Sequence, residues 1–589
     1  MSPFESVEIS LTVTVPATIN RQRLHQWLVT DGLRFGQTDA AGMTTSGTAT
    51  DPVRQFLSDW LFFHQNILID AGFPCFKPTE IRQIQQVADR RYRLLLVVYL
   101  IAEHQSPVVN SLSSCLSLVQ AMNSTPFDAD AYAALSGKIH EQLYKPLHQA
   151  SNAGLSTLHV LRYAFEQDIP FVHLGAGVYQ LGWGKNSHLL HKSRTEQDSA
   201  IGATLSGYKS LTADRLRRMG LPAADNRLTD SLDKAQQIAR DLGYPVVIKP
   251  EQGNRGEGVV KDIYTDEQLR RAWPLATAFN SLVLVERQVK GTCYRLFVYD
   301  GEVMFVKATL PRMLTGDGRS TLAELMAADA ARQQKRRPWQ RDPVIPLDEE
   351  TLACFRAQGV APETVLVEQQ AIYVRKVGSL QWGVANIPAA SHVHPANLRL
   401  AVDATRAMNL CTAGVDLIIA DIARPWYEQD CIVNEVNSSP MIGVSDASLQ
   451  CLPKLMARML TDDGRIPVSL YVGQQKAFAA GGQEQQRRIA AGQACFLTTD
   501  KVTYDGTGQQ KAMTHTTLAQ RCRALLMDPM VEALILVIQN SGLLTTGLPV
   551  DQVQQLVCTD EGLCDSAGQL VSRREYDAVL GVLKKIEKA

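Results

Sequence analysis

Long hydrophobic runs are missing from this sequence. The longest uninterrupted apolar stretch, Leu94 to Ala102, is nine residues, well short of the ~20 that a membrane-spanning helix requires. The first residues, Met1-Ser-Pro-Phe-Glu-Ser-Val-Glu8, are acidic and contain no hydrophobic segment, so no secretory signal is expected. An excess of one charge sign is also missing. Fifty-nine Lys and Arg stand against 60 Asp and Glu, a formal net charge of −1. No basic surface advertises nucleic acid. Paired cysteines are missing too: the 11 cysteines are odd in number, scattered, and contain no Cys-x-x-Cys. That pattern predicts free thiols in a reducing cytoplasm and argues against a structural zinc site. What remains is a globular balance, 45% hydrophobic and 20% charged. A length of 589 residues predicts about three to four domains.

One stretch stands out: Tyr244-Pro-Val-Val-Ile-Lys-Pro-Glu-Gln-Gly-Asn-Arg-Gly-Glu-Gly-Val-Val260. Its β-branched run Val246-Val-Ile248 reads as a buried strand. Lys249 closes the strand, and a loop with Gly253, Gly256 and Gly258 follows. Glycines allow backbone N–H groups close to phosphate oxygens because no Cβ blocks the approach. The lysine adds a point charge for the same phosphates. Such a loop can equally be a plain turn, so it needs a companion.

The companion lies downstream. Ala413-Gly-Val-Asp-Leu-Ile-Ile-Ala-Asp421 and Cys431-Ile-Val-Asn-Glu-Val-Asn437 read as two strands joined by a polar hairpin connection. Glu435 and Asn437, two apart, point to one face of a strand, and Asp416 can join that face from the partner. Two carboxylates and an amide among apolar neighbours call for a partner or a metal. Oxygen-only ligands suit Mg²⁺ bridging nucleotide phosphates. The alternative, a solvated edge-strand face, sits poorly with the apolar flanks.

The order PVVIKP, Gly-rich loop, VLVERQVKG, GVDLIIADI, NEVNSSP resembles the ATP-grasp ligases. The resemblance implies ATP and Mg²⁺ as cofactors, with Asp416, Glu435 and Asn437 holding the metal and Lys249 reaching the α- and β-phosphates. The loop from Gly253 through Asn254, Arg255, Gly256 and Gly258 would close over the phosphates. The run Val283 to Val289, with Glu286, Arg287 and Val289, resembles the hinge whose backbone reads adenine. Lys209, Lys249, Arg295 and Arg375 are the cations expected around the phosphates and an acyl phosphate.

Along the rest of the chain, Val7 to Val15 alternates as a half-buried strand, and Arg91 to Ala102 reads as a second. Thr157 to Gln167 reads as an amphipathic helix capped by Ser156. Lys209 to Met219 is a helix stopped by Gly220. A further helix begins at Thr229-Asp-Ser, presents Leu232, Ala235, Ile238, Ala239 and Leu242 on one face, and ends at Gly243. Tyr294 to Lys307 reads as a hairpin turning at Asp300-Gly301. Gln333 to Asp342 is a basic, loop-like stretch, either solvated or guiding an acidic chain.

These segments narrow the resemblance. QLGWGK, YRLFVYDGEVMFVKA, GDGRSTLAELM, VRKVGSLQWG and HVHPANLRLAVDATRAMNLCTAGVDLIIADI appear in the order found in cyanophycin synthetases, over about residues 165 to 450. Beyond residue 463 the sequence resembles pieces of a Mur-ligase-like domain with its nucleotide loop degraded. Tyr471-Val-Gly-Gln-Gln-Lys-Ala-Phe478 lacks the glycine before Lys476 and the hydroxyl after it. Ala533 to Gln539 carries no acid. The resemblance therefore implies the type 2 form, an enzyme that joins preformed β-aspartyl-arginine dipeptides into a polymer.

The expectation is a mixed α+β and α/β multidomain protein. Residues 1–165 form an α+β scaffold or docking domain, 166–462 an ATP-grasp domain, and 463–589 a truncated, inactive Mur-ligase-like domain. It is expected to be a cytoplasmic, ADP-forming peptide ligase and a homo-oligomer with a small peptide or polymer substrate and no nucleic-acid or membrane partner. Four positions depart from the family pattern. Arg255 stands where a histidine is usual, and Cys293 where an acid is expected on the ribose hydroxyls. Ser379-Leu-Gln-Trp-Gly-Val384 and Glu196-Gln-Asp-Ser199 replace two substrate segments. The substrate is accordingly open: β-aspartyl-arginine, another small peptide, or none, if the chain is a nucleotide-binding paralogue without turnover.

Overall fold

A computed structural model describes residues 5–30, 52–100, 105–151, 154–253, 256–334, 336, 341–375, 384–388, 392–443, 445–565 and 568–587. It is a mixed α/β protein of two compact units. One comprises Ser6–Val160 with His191–Leu452, and the other Leu161–Leu190 with Pro453–Ala589. Among the described residues no helix is long and apolar enough to cross a membrane. All 11 cysteines are free.

The first unit opens with β1 (Glu5–Thr14), α1 (Pro52–Ala71), β2 (Glu80–Ala88), β3 (Arg91–Leu100) and α2 (Gln105–Ser124). The three strands form a sheet in the order β1-β3-β2. A core of Phe56, Trp60, Phe63, Leu94, Leu112 and Val119 joins it to the helices. His64 is buried in that core beside Ser111 (2.7 Å), where burial lowers its pKa to about 4 and keeps the ring neutral. Ser156 does not cap a helix as expected. Helix Leu155–Glu166 starts before it, and its Oγ accepts from the Ile442 N–H at 3.0 Å.

Next come α3 (Lys209–Arg218), β4 (Asn226–Thr229), α4 (Leu232–Leu242), β5 (Val246–Pro250), β6 (Val260–Ile263), α5 (Asp266–Thr277) and β7 (Val283–Arg287). The strands form an antiparallel sheet ordered β6-β5-β7-β4. The α4 stripe buries Ala235 and Ala239 against Val246, Ile248, Val283 and Val285. Small helical residues let α4 lie close to the sheet.

A second antiparallel sheet follows: β8 (Thr292–Tyr299), β9 (Glu302–Pro311), β12 (Val384–Pro388), β13 (Thr412–Ile419) and β14 (Cys431–Asn437), ordered β12-β9-β8-β13-β14. The β8–β9 turn is at Asp300-Gly301, both with positive φ, 44° and 73°, as a tight hairpin requires. Helix α8 (Pro395–Ala407) covers one face of this sheet, burying Leu400, Ala401 and Ala404 with Leu296, Val298 and Val415.

Between β9 and β12 the chain inserts β10 (Met313–Thr315), α6 (Leu322–Gln334), α7 (Glu349–Ala357) and β11 (Ala371–Tyr373). They share a small core of Leu322, Phe355, Leu366, Ile372 and Val374. Gln333 and Gln334, expected in a loop, end α6. The rest of the basic run is described only at Arg336, Arg341 and Asp342, where Arg336 pairs with Asp342 at 2.8 Å.

The second unit contains a parallel sheet with one short antiparallel strand, besides an antiparallel pair of strands, Phe171–Gly175 and Val178–Leu181. Its elements are β15 (Val468–Val472), α9 (Gln475–Ala490), β16 (Cys495–Thr498), β17 (Thr503–Tyr504), α10 (Leu518–Leu526), β18 (Ala533–Ile538), β19 (Gln555–Cys558) and α11 (Arg573–Leu583), with sheet order β17-β16-β18-β15-β19. β18 is apolar throughout and wholly buried, as a strand covered on both faces must be. Leu161–Leu190, most of which the sequence reading places in the middle domain, belongs to this unit. There Gln180 donates to Leu526 O (3.0 Å), Trp183 N–H to Gly464 O (2.6 Å) and Lys185 N–H to Val531 O (2.9 Å).

Candidate active site

Sheet register creates the central feature. On β8, Arg295 lies opposite Lys307 of β9 on one side and Asp416 of β13 on the other; Asp416 in turn lies opposite Glu435 of β14. Directly opposed residues share a face, so Lys307, Arg295, Asp416 and Glu435 form one row of charge across four strands. Arg295 grips Asp416 with two parallel bonds, Nη2 to Oδ2 at 2.7 Å and Nε to Oδ1, the strong bidentate form. Burial works against its charge, but the Asp416 and Glu435 carboxylates outweigh burial and raise its pKa. Gly414 makes room for this side chain: a Cβ there would stand 3.1 Å from Arg295 Cδ and 3.0 Å from Pro440 Cβ.

The second wall comes from the end of β5. Lys249 Nζ lies 2.9 Å from Glu286 Oε2, with side chains 6% and 5% exposed. The same ammonium donates to Asn434 Oδ1 at 3.2 Å. Asn434 is available because the β13–β14 register slips between Asp416/Glu435 and Leu417/Val433, leaving it without a direct partner. A bulge of this kind re-aims a side chain.

Lys209, at the start of α3, joins the two walls. Its Nζ donates to Gly253 O (3.0 Å) and Glu251 O (3.5 Å). Burial lowers its pKa first and Lys249 lowers it further, while Glu435, Glu251 and Glu286 act in the opposite sense. Lys209, Lys249, Glu251, Glu286 and Glu435 thus share one electrostatic space between the two sheets. The buried Glu251 fixes the start of α3, accepting from Ser210 Oγ (2.6 Å) and Ser210 N–H (3.3 Å).

Between Glu251 and β6 runs the glycine loop, with positive φ at Gly253 (142°), Gly256 (76°) and Gly258 (69°). A Cβ on Gly258 would stand 2.8 Å from Pro250 and 2.9 Å from Phe279, so close approach as well as φ requires glycine there. Asn254 and Arg255 lie outside the described residues, as do Ser379 to Gly383. The hinge run is held by Arg287 N–H to Asp225 O (3.1 Å), by Gln288 N–H to Pro245 O (3.0 Å), and by two 2.7 Å bonds between Gln288 and Asp262. Val289 is half-buried beside it.

Cys293 sits two residues from Arg295 on the same face of β8, opposite Ile418. Burial raises its thiol pKa, and Asp416 adds to the rise, so it stays a neutral thiol. Arg375 is placed differently from the other expected cations. It belongs to the inserted α6–α7 group, fully buried, with Nη1 and Nη2 on the Asp348 carboxylate (2.8 and 2.9 Å) and Nη1 also on Glu350 (3.0 Å). The pairing holds the Asp348 carboxyl down at about 2.

The expected metal donors are Asp416 and Glu435, opposed on adjacent strands, and Asn437, opposite Gly414. Asn437 Nδ2 donates to Gly414 O at 3.4 Å. Two carboxylates and one amide oxygen suit a hard cation such as Mg²⁺, with Asp416 shared with Arg295. Among the described residues no group of three or more His, Cys, Asp or Glu could hold a metal ion. Reading the sequence alone missed Glu251, Ser210, Asn434 and Lys307. Strand parity with Lys249 was a signal for Glu251; the other three need tertiary register.

Several known proteins are similar to parts of this chain. Residues 209–294, the stretch from Lys209 to the hinge, match the family model described as the carbamoyl-phosphate synthase L chain, ATP binding domain. The chain is 29% identical over 422 residues to a cyanophycin synthetase of Trichormus variabilis, covering 69% of this chain and 46% of that protein. It is 27% identical over 346 residues to the glutathione biosynthesis bifunctional protein GshAB of Mannheimia succiniciproducens, covering 56% of this chain and 45% of that protein. Among solved structures, a bifunctional glutathione synthetase from Pasteurella multocida is 24% identical over 60% of this chain and 51% of that one, with a TM-score of 0.39. The first half of the site thus falls in a stretch similar to an ATP-binding domain. The chain is similar to the cyanophycin synthetases, and it spans about half the length of the curated relatives it matches.

Proposed function

We propose that the protein is an ATP-dependent carboxylate–amine ligase that makes peptide bonds through an acyl phosphate. What supports the reading is the convergence of Lys209, Lys249 and Glu435 between two sheets, beside the Arg295–Asp416 pair. In this scheme Lys209 and Lys249 hold the nucleotide phosphates, the glycine loop covers them, and Val283–Val289 binds the base. Asp416, Glu435 and Asn437 would hold Mg²⁺, which would supply positive charge at the phosphate end of the site. Arg295, kept firmly charged, faces the acyl phosphate. Positioning and charge stabilisation account for most of the catalysis in such a reaction.

The substrate we assign is β-aspartyl-arginine, joined into cyanophycin or a related polymer in the cytoplasm. The similarity to cyanophycin synthetases supports it. A second reading, the joining of a different small peptide, draws on Ser379-Leu-Gln-Trp-Gly-Val384 and Glu196-Gln-Asp-Ser199, which stand in place of two of the family's substrate segments. Coupled measurement of ADP release with ATP, Mg²⁺ and a panel of dipeptides separates the two. The first reading expects release that depends on β-aspartyl-arginine, and the second on another peptide. ADP release with none of them contradicts both.

We further propose three functional parts, with the C-terminal part non-catalytic. At the N-terminus of α9, where a nucleotide phosphate would sit, Glu561 Oε2 already accepts from the N–H groups of Gln474 (2.9 Å) and Lys476 (2.8 Å). Lys476 Nζ is held by both oxygens of Asp560 at 2.7 Å. A carboxylate in this place repels another anion. Lys476→Ala is expected to change turnover by less than about twofold, because exposed ion pairs contribute little. A loss of activity with the fold intact would remove this part of the account.

The Glu251–Ser210 contact leads to a further expectation. Glu251→Ala releases the start of α3 and with it Lys209, so KM for ATP should rise about tenfold while kcat changes less. An unchanged KM would mean that Lys209 is placed by other means.

A further inference from the structure

The charge row has a member with no part in the scheme so far. Lys307 is half-buried on β9, opposite Arg295. Arg295 is committed to Asp416 through both guanidinium bonds. Glu435 faces the Lys209 end of the site. Among the described residues the Lys307 ammonium has no hydrogen-bond or ion-pair partner. Burial lowers its pKa, Arg295 lowers it further, and Asp416 only partly compensates. A half-buried cation beside another cation is costly unless an anion arrives to pair with it.

Position narrows which anion. Lys307 and Glu435 are three strand spacings apart along the row, roughly 14 Å at 4.8 Å per strand. Phosphates held by Lys209 and Lys249 lie at the Glu435 end. The β9 end, where Lys307 also lies opposite Pro388 of β12, is therefore left for the other reactant. We infer that Lys307 is a specificity-determining residue that binds a carboxylate of an acidic peptide substrate. The inference rests on the ligase reading of the site and adds to it the residue that reads a carboxylate the peptide carries beyond the one activated.

Two measurements test it. In the ADP-release assay with β-aspartyl-arginine, Lys307→Met should raise the peptide KM about tenfold or more, as loss of a charged hydrogen bond does. KM for ATP should stay within about twofold, and Lys307→Arg should recover most of the peptide affinity. Independently of turnover, Lys307 in the full chain is acetylated with acetic anhydride at pH 8 and read by peptide mass spectrometry. β-Aspartyl-arginine or an aspartate oligomer should protect it, and ATP with Mg²⁺ alone should not. Protection by ATP alone, or a change confined to the ATP KM, would assign Lys307 to phosphate and overturn the inference. No protection and no change in either KM would overturn it as well. If wild-type protein turns over no peptide, the ligase reading fails, and the labelling result alone decides whether Lys307 binds carboxylates.

Discussion

Lys249→Met is expected to lower stability by about 3–5 kcal/mol and to abolish ATP binding. The stability loss follows from burial: Lys249 and Glu286 are 6% and 5% exposed and 2.9 Å apart. Removing one partner leaves the other as an uncompensated buried charge. The binding loss follows from Lys249 being one of two cations, with Lys209, at the phosphate end. The two effects come apart in the double variant Lys249→Met/Glu286→Leu, where an apolar pair replaces the ion pair. Such replacements are often neutral or stabilising, so thermal unfolding should return toward wild type while nucleotide binding stays lost. Recovery of ATP binding in the double variant would show that Lys249 is a structural partner of Glu286 only.

Glu435→Gln should reduce ATP turnover by at least ~10²-fold, a few kcal/mol of transition-state stabilisation. The substitution keeps the side chain's shape and removes one charge from the donor set. Glu435 lies opposite Asp416, and its charge reaches both Lys209 and Arg295. No other acid in the row faces the phosphate end. The melting temperature should move little, because Glu435 is half-buried on an edge strand. Wild-type turnover in this variant would place the metal elsewhere.

Much of the site is legible in the sequence because it is written in strand parity. Asp416, Glu435 and Asn437 are found by alternation, and the register brings Asp416 opposite Glu435. Lys249 is found because a β-branched run delivers it to the start of a glycine loop. The Asp300-Gly301 turn is marked by two residues that tolerate positive φ. What parity cannot show is a slip in register. Asn434 reads as facing away from Glu435, yet the bulge lets it reach Lys249. Lys307 becomes visible only when β9 is known to pair with β8 at that residue.

Arg375 shows the opposite limit. Its motif suggests a cation beside the phosphates or an acyl phosphate, but its partners Asp348 and Glu350 stand at the start of another element, 27 and 25 residues away, and only tertiary packing joins them. Glu561 is a similar case, since the run Tyr471 to Phe478 does not show the carboxylate that occupies the helix terminus there. The attachment of Leu161–Leu190 to the C-terminal unit rests on backbone bonds such as Trp183 to Gly464, for which no residue pattern exists.

The central claim, ATP-driven acyl phosphate formation at this site, is tested most directly by oxygen transfer. When a carboxylate attacks the γ-phosphate and an amine then displaces phosphate from the acyl carbon, one carboxylate oxygen leaves with the phosphate. β-Aspartyl-arginine labelled with ¹⁸O in its carboxylates, turned over with ATP and Mg²⁺, should yield ADP and phosphate carrying one ¹⁸O per peptide bond formed. Glu435→Gln should form both products at least ~10²-fold more slowly. ADP accompanied only by unlabelled phosphate, or AMP with pyrophosphate, would contradict the account.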